Sequence, residues 1–129
     1  MQAFIKINGN AYPQPSRGLE MGVATITNTG RNANGAIVGQ KIGRTQYAIS
    51  SLEWANLSAE TWKEINAEFE KNLFATVEFP DMVNGGRITL RMYAGERNAV
   101  PLRFDEDGLP TVYQLCRVNI TDVGEDVIQ

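Results

Sequence analysis

The chain has no histidine and only one cysteine, Cys116, among its 129 residues. It therefore lacks the side chain that most often serves as a general base or as a metal ligand. A catalytic cysteine needs a neighbouring base, and a zinc site needs several nitrogen or sulfur ligands. We expect no catalytic, cofactor-binding or metal-binding residues, and a structural or binding protein rather than an enzyme.

The sequence also lacks an apolar run of about 18 residues, the length from which a membrane-spanning helix is inferred. Its first residues do not show the basic and then apolar pattern of a secretory signal. Hydrophobic residues make up 43% of the chain and charged residues 21%, which is ordinary for a folded soluble domain. We expect a single domain, residues 1–129, that does not contact a membrane.

The charge is small overall but unevenly distributed. A net charge of −3 disfavours a nucleic-acid-binding protein. Residues 1–52 hold five basic residues and one acidic residue, whereas residues 53–129 hold seven basic and fourteen acidic residues. Identical copies could meet head to tail through these halves, the halves could neutralise each other within one monomer, or the charges could simply be solvated.

Strand patterns dominate the sequence. Residues 23–52 are rich in β-branched and alternating apolar residues, which predicts two long strands joined by a flexible Asn- and Gly-rich loop at 28–35. Residues 76–93 predict a hairpin, and 111–121 predict a last strand whose apolar face buries Cys116.

One helix is predicted at about 59–71. Ser58 is placed to cap it, and Leu57 and Trp62 stand at the positions of a hydrophobic staple. Apolar residues then recur at helical spacing and predict packing on a sheet. The residues expected to face water are Glu60, Lys63, Glu64, Glu68 and Lys71. With six or seven strands, this predicts a mainly β fold, an antiparallel β-sandwich or β-barrel whose helix covers an opening or an edge.

Two charged clusters have more than one interpretation. Arg87, Arg91, Tyr93 and Arg97 line one strand and its exit, which is typical of a protein interface or of a solvated sheet face. The acidic run 105–108 fits a surface turn, and it fits a weak calcium site less well because the full calcium-loop spacing is missing.

The sequence resembles a family of small structural proteins from the tail gene clusters of siphophages and prophages of Gram-positive bacteria. The resemblance covers about residues 16–121. The stretches that carry it are Ser16-Arg17-Gly18-Leu19, Thr29-Gly30-Arg31-Asn32-Ala33-Asn34-Gly35, Val38-Gly39-Gln40-Lys41-Ile42-Gly43-Arg44, Leu52-Glu53-Trp54, the helix with Trp62, Phe79-Pro80-Asp81-Met82 and Met92-Tyr93-Ala94-Gly95-Glu96-Arg97.

The resemblance implies a tail-tube-like fold and a ring-forming subunit of a tail tube, distal tail or baseplate. Its partners would be further copies of itself and other phage tail proteins, and it would be assembled in the host cytoplasm and reside in the virion tail. The segment 23–52 would pack on the next subunit, with basic residues meeting acids there. The candidate interface residues are Arg31, Asn32, Asn34, Lys41, Arg44, Arg87 and Arg91.

Two other functional classes stay open at this stage. A monomeric module that binds cell-wall sugar would use exposed aromatic rings as stacking platforms, with Tyr12, Tyr47, Trp54 and Tyr93 as candidates. A small hydrolase would use a pair of the 15 carboxylates, although no spacing favours any pair.

Overall fold

The computed structural model describes residues 3–15, 20–25, 27–41 and 43–128, without the side chains of Thr27 and Asn28. Ile26 and Ile42, which belong to the two predicted long strands, and the resembling stretch 16–19 lie outside the described residues. All statements below concern the described part of the chain.

Nine strands and one helix make up this part. They are β1 (Lys6–Ile7), β2 (Asn10–Ala11), β3 (Glu20–Ala24), β4 (Thr27–Arg31), β5 (Ile37–Lys41), β6 (Gln46–Ser58), α1 (Ala59–Lys71), β7 (Ala75–Pro80), β8 (Arg87–Phe104) and β9 (Pro110–Asp122). Seven strands form one antiparallel sheet in the order β2-β1-β7-β8-β9-β6-β3, and β4 pairs with β5 separately. The expected mainly β, antiparallel class with one helix is confirmed, and neither of these sheets closes into a barrel.

The seven-stranded sheet is strongly curved. Strands β6 and β7 are three positions apart in the sheet order, which corresponds to about 14 Å in a flat sheet. The ring centroids of Tyr47 on β6 and Phe79 on β7 nevertheless lie only 5.8 Å apart, edge to face. The Tyr47 hydroxyl also donates to Asp81 at 2.9 Å. The sheet therefore wraps around its own apolar face.

Helix α1 begins and ends where the sequence predicts, and it packs on that apolar face. The Ser58 hydroxyl accepts a hydrogen bond from the Thr61 N–H at 3.2 Å, which confirms the expected cap. The Trp62 ring meets the Trp54 ring of β6 edge to face, with centroids 6.5 Å apart. The Trp54 indole N–H in turn donates to the Pro13 carbonyl at 2.8 Å, so one aromatic pair joins helix, sheet and N-terminal segment.

A bulge in β6 keeps both halves of this long strand facing the core. Ile49 pairs with Ile120 and Leu52 pairs with Val118, so that β6 has one more residue than β9 between these two pairs. Ser51 adopts a φ of +54°, and its N–H donates to the Asn119 side chain at 2.8 Å. The extra residue shifts the alternation of inward and outward side chains by one position. Ile49 and Leu52, which are three residues apart, are therefore both fully buried.

Two predicted boundaries are wrong. The stretch 28–35, expected as a flexible loop, is a strand up to Arg31 followed by a tight turn. The strand expected to end at Tyr93 continues as β8 to Phe104 and pairs with β9 over most of its length. The second difference arises because 97–104 contains Pro101 and no clean apolar alternation, so the pairing partner determines the strand.

The expectation that Glu68 faces water is also wrong, since Glu68 is 6% exposed. Its carboxylate accepts hydrogen bonds from the Asn10 side chain at 2.7 Å and from the Tyr12 hydroxyl at 2.9 Å. Burial alone would raise the pKa of Glu68, but these hydrogen bonds outweigh it and hold the pKa below its ordinary value. Glu68 thus joins the turn between β1 and β2 to the helix.

We predict that Glu68→Ala lowers the free energy of unfolding by about 2 kcal/mol, because it leaves the Asn10 and Tyr12 donors without their acceptor. Glu64→Ala is the matched control, since Glu64 lies one turn earlier on the same helix and is exposed. The control should change stability by at most about 0.5 kcal/mol. Urea unfolding of both variants measures the difference, and equal values would contradict a structural role for Glu68.

Candidate functional site

Strands β4 and β5 form a hairpin that stands apart from the main sheet. We call residues 27–41 the basic hairpin, because it contains Arg31 and Lys41 and no acidic residue. Thr27 pairs with Lys41 and Arg31 with Ile37, so the two strands are in continuous register.

The turn of the basic hairpin is built by residues that were predicted as interface residues. The Asn32 side-chain oxygen accepts hydrogen bonds from the N–H groups of Asn34 and Ala36 at 3.0 and 3.1 Å. Gly35 has a φ of +83°, a conformation that favours glycine, and its carbonyl accepts from the Arg31 guanidinium at 2.7 Å. The turn is therefore held in one shape by its own side chains.

None of the described side chains of the basic hairpin lies in the core. Every described side chain from Thr29 to Lys41 is exposed, including Ile37 at 66% and Val38 at 50%. Within the described residues no carboxylate forms an ion pair with Arg31 or Lys41. An isolated two-stranded hairpin is at best marginally stable in water, so packing against a further surface would stabilise a hairpin of this kind.

Arg44, three residues after the basic hairpin, is bound to the C-terminal part of the chain. Its guanidinium forms a bidentate pair with the Asp122 carboxylate at 2.5 and 2.6 Å, and its Nε donates to the Glu125 carbonyl at 2.6 Å. The Asp122 carboxylate is fully buried, and it also accepts the N–H groups of Tyr47 and Gly124 at 3.1 and 2.8 Å. Arg44 was predicted to face a neighbouring subunit, and its charge is instead engaged within the chain.

The other two arginines of the predicted set lie on β8, away from the basic hairpin. Arg87 is half-buried, pairs with Glu78 at 2.9 Å and donates to the Phe4 carbonyl at 2.9 Å. Arg91 lies 3.7 Å from Glu125. The structure thus gathers Arg31, Asn32, Asn34 and Lys41 on one hairpin and places Arg44, Arg87 and Arg91 in intramolecular ion pairs.

A second exposed hairpin, which the sequence pattern missed, is formed by the distal parts of β8 and β9. We call residues 100–114 the acidic hairpin, because its turn contains Asp105, Glu106 and Asp107. The Asp105 carboxylate accepts the N–H groups of Asp107 and Leu109 at 2.8 and 3.0 Å, which confirms the predicted surface turn. Phe104 and Leu109 flank this turn and are each 60% exposed. Acidic and apolar surface therefore lie side by side.

The two hairpins lie at opposite ends of β6. Ala24 pairs with Gln46 at the start of β6, where the chain leaves for the basic hairpin. Ser58 at the end of β6 pairs with Val112, next to the acidic turn. Strand β6 has 13 residues, so these ends are about 40 Å apart along the strand.

The aromatic platforms that a sugar-binding module would need are mostly absent from the surface. Tyr12, Tyr47 and Trp54 are 7%, 5% and 2% exposed, and of the four candidates Tyr93 alone reaches 40%. A cleft of about 400 Å³ lies beside Tyr12 and Glu68, but no buried polar side-chain atom of the described residues lacks a hydrogen-bond partner. The expectation that these four rings are exposed is wrong for three of them.

Cys116 is fully buried on β9, as predicted, and burial raises the pKa of its thiol to about 11. A thiol in this environment stays protonated near neutral pH and is a poor nucleophile. Across the described ranges, no three Cys, Asp or Glu side chains are arranged to hold a metal ion. The described helix is too short and too polar to cross a membrane.

Comparisons with known proteins identify no relatives: no protein-family model matches the sequence, and no curated protein is significantly similar to it.

We predict that Arg44→Met lowers the free energy of unfolding at pH 7 by about 3 kcal/mol, because it leaves a buried, unpaired carboxylate at Asp122. Arg91→Met is the matched control, since it removes an exposed ion pair worth at most about 1 kcal/mol. Guanidinium unfolding measures both variants, and similar losses would contradict the role of the Arg44–Asp122 pair.

The same pair predicts a pH dependence. Burial alone would raise the pKa of Asp122, but the hydrogen bonds from Arg44, Gly124 and Tyr47 hold it below its ordinary value. A depressed carboxylate pKa stabilises the folded state above the unfolded-state value of about 3.9, and this is lost as the pH falls through the folded-state value. The unfolded state titrates alike in the wild-type protein and in Arg44→Met, so the difference in their free energies of unfolding should narrow as the pH falls and Asp122 becomes protonated in the folded variant at a higher pH than in the folded wild type. Guanidinium unfolding at several pH values measures this difference.

Proposed function

We propose that this protein is a non-enzymatic structural subunit of a bacteriophage or prophage-derived tail, at the level of the tail tube, distal tail or baseplate. It acts through contacts with further copies of itself and with other tail proteins, is assembled in the bacterial cytoplasm and resides in the virion. The resemblance of residues 16–121 to tail-cluster proteins supplies this context.

The observation that carries the proposal is the exposure of the basic hairpin. Its turn is fixed by Asn32 and Arg31, yet every described side chain from Thr29 to Lys41 is exposed. A hairpin held in one shape loses little conformational freedom on binding, which favours association. Its exposed Ile37 and Val38 provide apolar surface, from which we expect most of the affinity between subunits.

We predict that the purified protein forms a discrete oligomer, rings or tubes, and that its average mass in solution rises with the protein concentration. Replacing residues 29–39 by an Asn-Gly turn should reduce the protein to a monomer, because it removes the exposed part of the hairpin. Asn28 and Gln40 are directly paired, so a two-residue turn can close the shortened hairpin. Light scattering and negative-stain electron microscopy measure the outcome. A wild-type protein that stays monomeric at every concentration would contradict self-assembly.

A milder variant separates the apolar contribution from the shape of the hairpin. Ile37→Ser/Val38→Ser should weaken self-association at least about tenfold, because burying one such side chain is worth about 1.5 kcal/mol or more. Met82→Ser/Val83→Ser is the matched control, since both residues are 51% exposed in the turn after β7. Equal association of the two variants would show that the hairpin side chains do not carry the contact.

A further inference from the structure

We propose that the binding partner of the basic hairpin is the acidic hairpin of a second copy of this chain, so that copies join head to tail. This inference rests on the proposed function and names the two surfaces that meet. The basic hairpin carries Arg31 and Lys41 with no acid, and the acidic turn carries three carboxylates in succession.

The two surfaces match in apolar character as well as in charge. Ile37 pairs directly with Arg31 and lies four residues before Lys41 on the same strand, so it shares their face of the hairpin, and it is 66% exposed. Phe104 and Leu109 lie beside the charges of the acidic turn, each at 60% exposure. Burial of these side chains provides affinity, while the opposite charges select the orientation and raise the association rate.

The geometry of β6 excludes the same contact within one copy. The hairpins leave opposite ends of this strand, about 40 Å apart, and β4 and β5 form a sheet of their own. Only a second copy can bring a basic and an acidic hairpin together. If each copy binds one neighbour through its basic hairpin and another through its acidic hairpin, the contact is heterologous and its repetition gives a ring or an open filament, whereas a reciprocal exchange between two copies gives a closed dimer.

The charge on both surfaces is available for such a contact. In the described part of the chain, neither Arg31 nor Lys41 has an ion-pair partner, and the same holds for Glu106 and Asp107. Asp105 is different, because its carboxylate holds the turn through two backbone N–H groups. Glu106 and Asp107 can therefore be changed without removing the hydrogen bonds that define the turn.

The test uses two charge-reversal variants of the full chain. Arg31→Glu/Lys41→Glu reverses the basic hairpin, and Glu106→Lys/Asp107→Lys reverses the acidic turn. Each variant alone should raise the Kd of self-association at least tenfold, because every head-to-tail contact then joins like charges. A 1:1 mixture should recover association, since one variant keeps a native acidic turn and the other keeps a native basic hairpin. Sedimentation velocity at two salt concentrations measures all samples.

Matched controls carry the same change of net charge on helix α1. Lys63→Glu/Lys71→Glu and Glu60→Lys/Glu64→Lys alter exposed side chains and should associate like the wild-type protein. Arg31 also donates to the Gly35 carbonyl, so its replacement changes the turn as well as the charge. The single variant Lys41→Glu, which leaves this hydrogen bond in place, is therefore measured as well. Circular dichroism verifies the fold of each protein.

The outcomes separate this inference from the proposed function. If the wild-type protein assembles and both reversal variants assemble equally well, the pairing of the two hairpins is wrong while self-assembly stands. If each variant fails to assemble and their mixture also fails, the hairpins contact other surfaces and the pairing is again wrong. A wild-type protein that never assembles contradicts self-assembly and with it the head-to-tail pairing, but not a tail role through contacts with other tail proteins. The head-to-tail pairing is supported if each variant fails to assemble by itself and the 1:1 mixture of the two variants assembles.

Discussion

The geometry of strand β6 is the constraint on which the rest of the structure depends. It pairs with β3 along its first residues and with β9 along most of its length, and it runs directly into the Ser58 cap of the helix. The bulge at Ser51 lets its two halves bury Ile49 and Leu52 in one core. A single strand of 13 residues thus spans the molecule, and its ends determine where the two hairpins emerge.

The uneven charge of the sequence has two consequences in the fold. Part of it is neutralised within the chain, because Lys6 and Arg44 from the basic half pair with Glu78 and Asp122 from the acidic half. Arg31 and Lys41 take no part in this neutralisation. Intramolecular pairing thus joins the two halves of the chain, while Arg31 and Lys41 on one side and the acidic turn 105–107 on the other lie near opposite ends of β6.

The sequence predicts those features whose cause is local. The helix is predicted to the residue because its cap, staple and apolar period all lie within 57–71, and the strand around Cys116 follows from simple alternation. Glu68 could not be predicted, because its hydrogen-bond donors Asn10 and Tyr12 are nearly 60 residues away in the chain. The stretch 28–35 of the basic hairpin is predicted as a loop because Asn and Gly usually end strands, whereas here they pair across the hairpin up to Arg31 and then form its turn.

The rigidity of the hairpin bases also bears on how a head-to-tail assembly would close. In a heterologous contact, the rotation between successive copies decides whether a ring or an open filament forms. A flexible hairpin would allow many rotations and give a mixture of products. The pairing of β9 with β6 and β8 holds the acidic hairpin on the main sheet, whereas β4 and β5 form a sheet of their own. Assemblies of one defined size therefore require that contact with the neighbouring copy sets the angle of the basic hairpin.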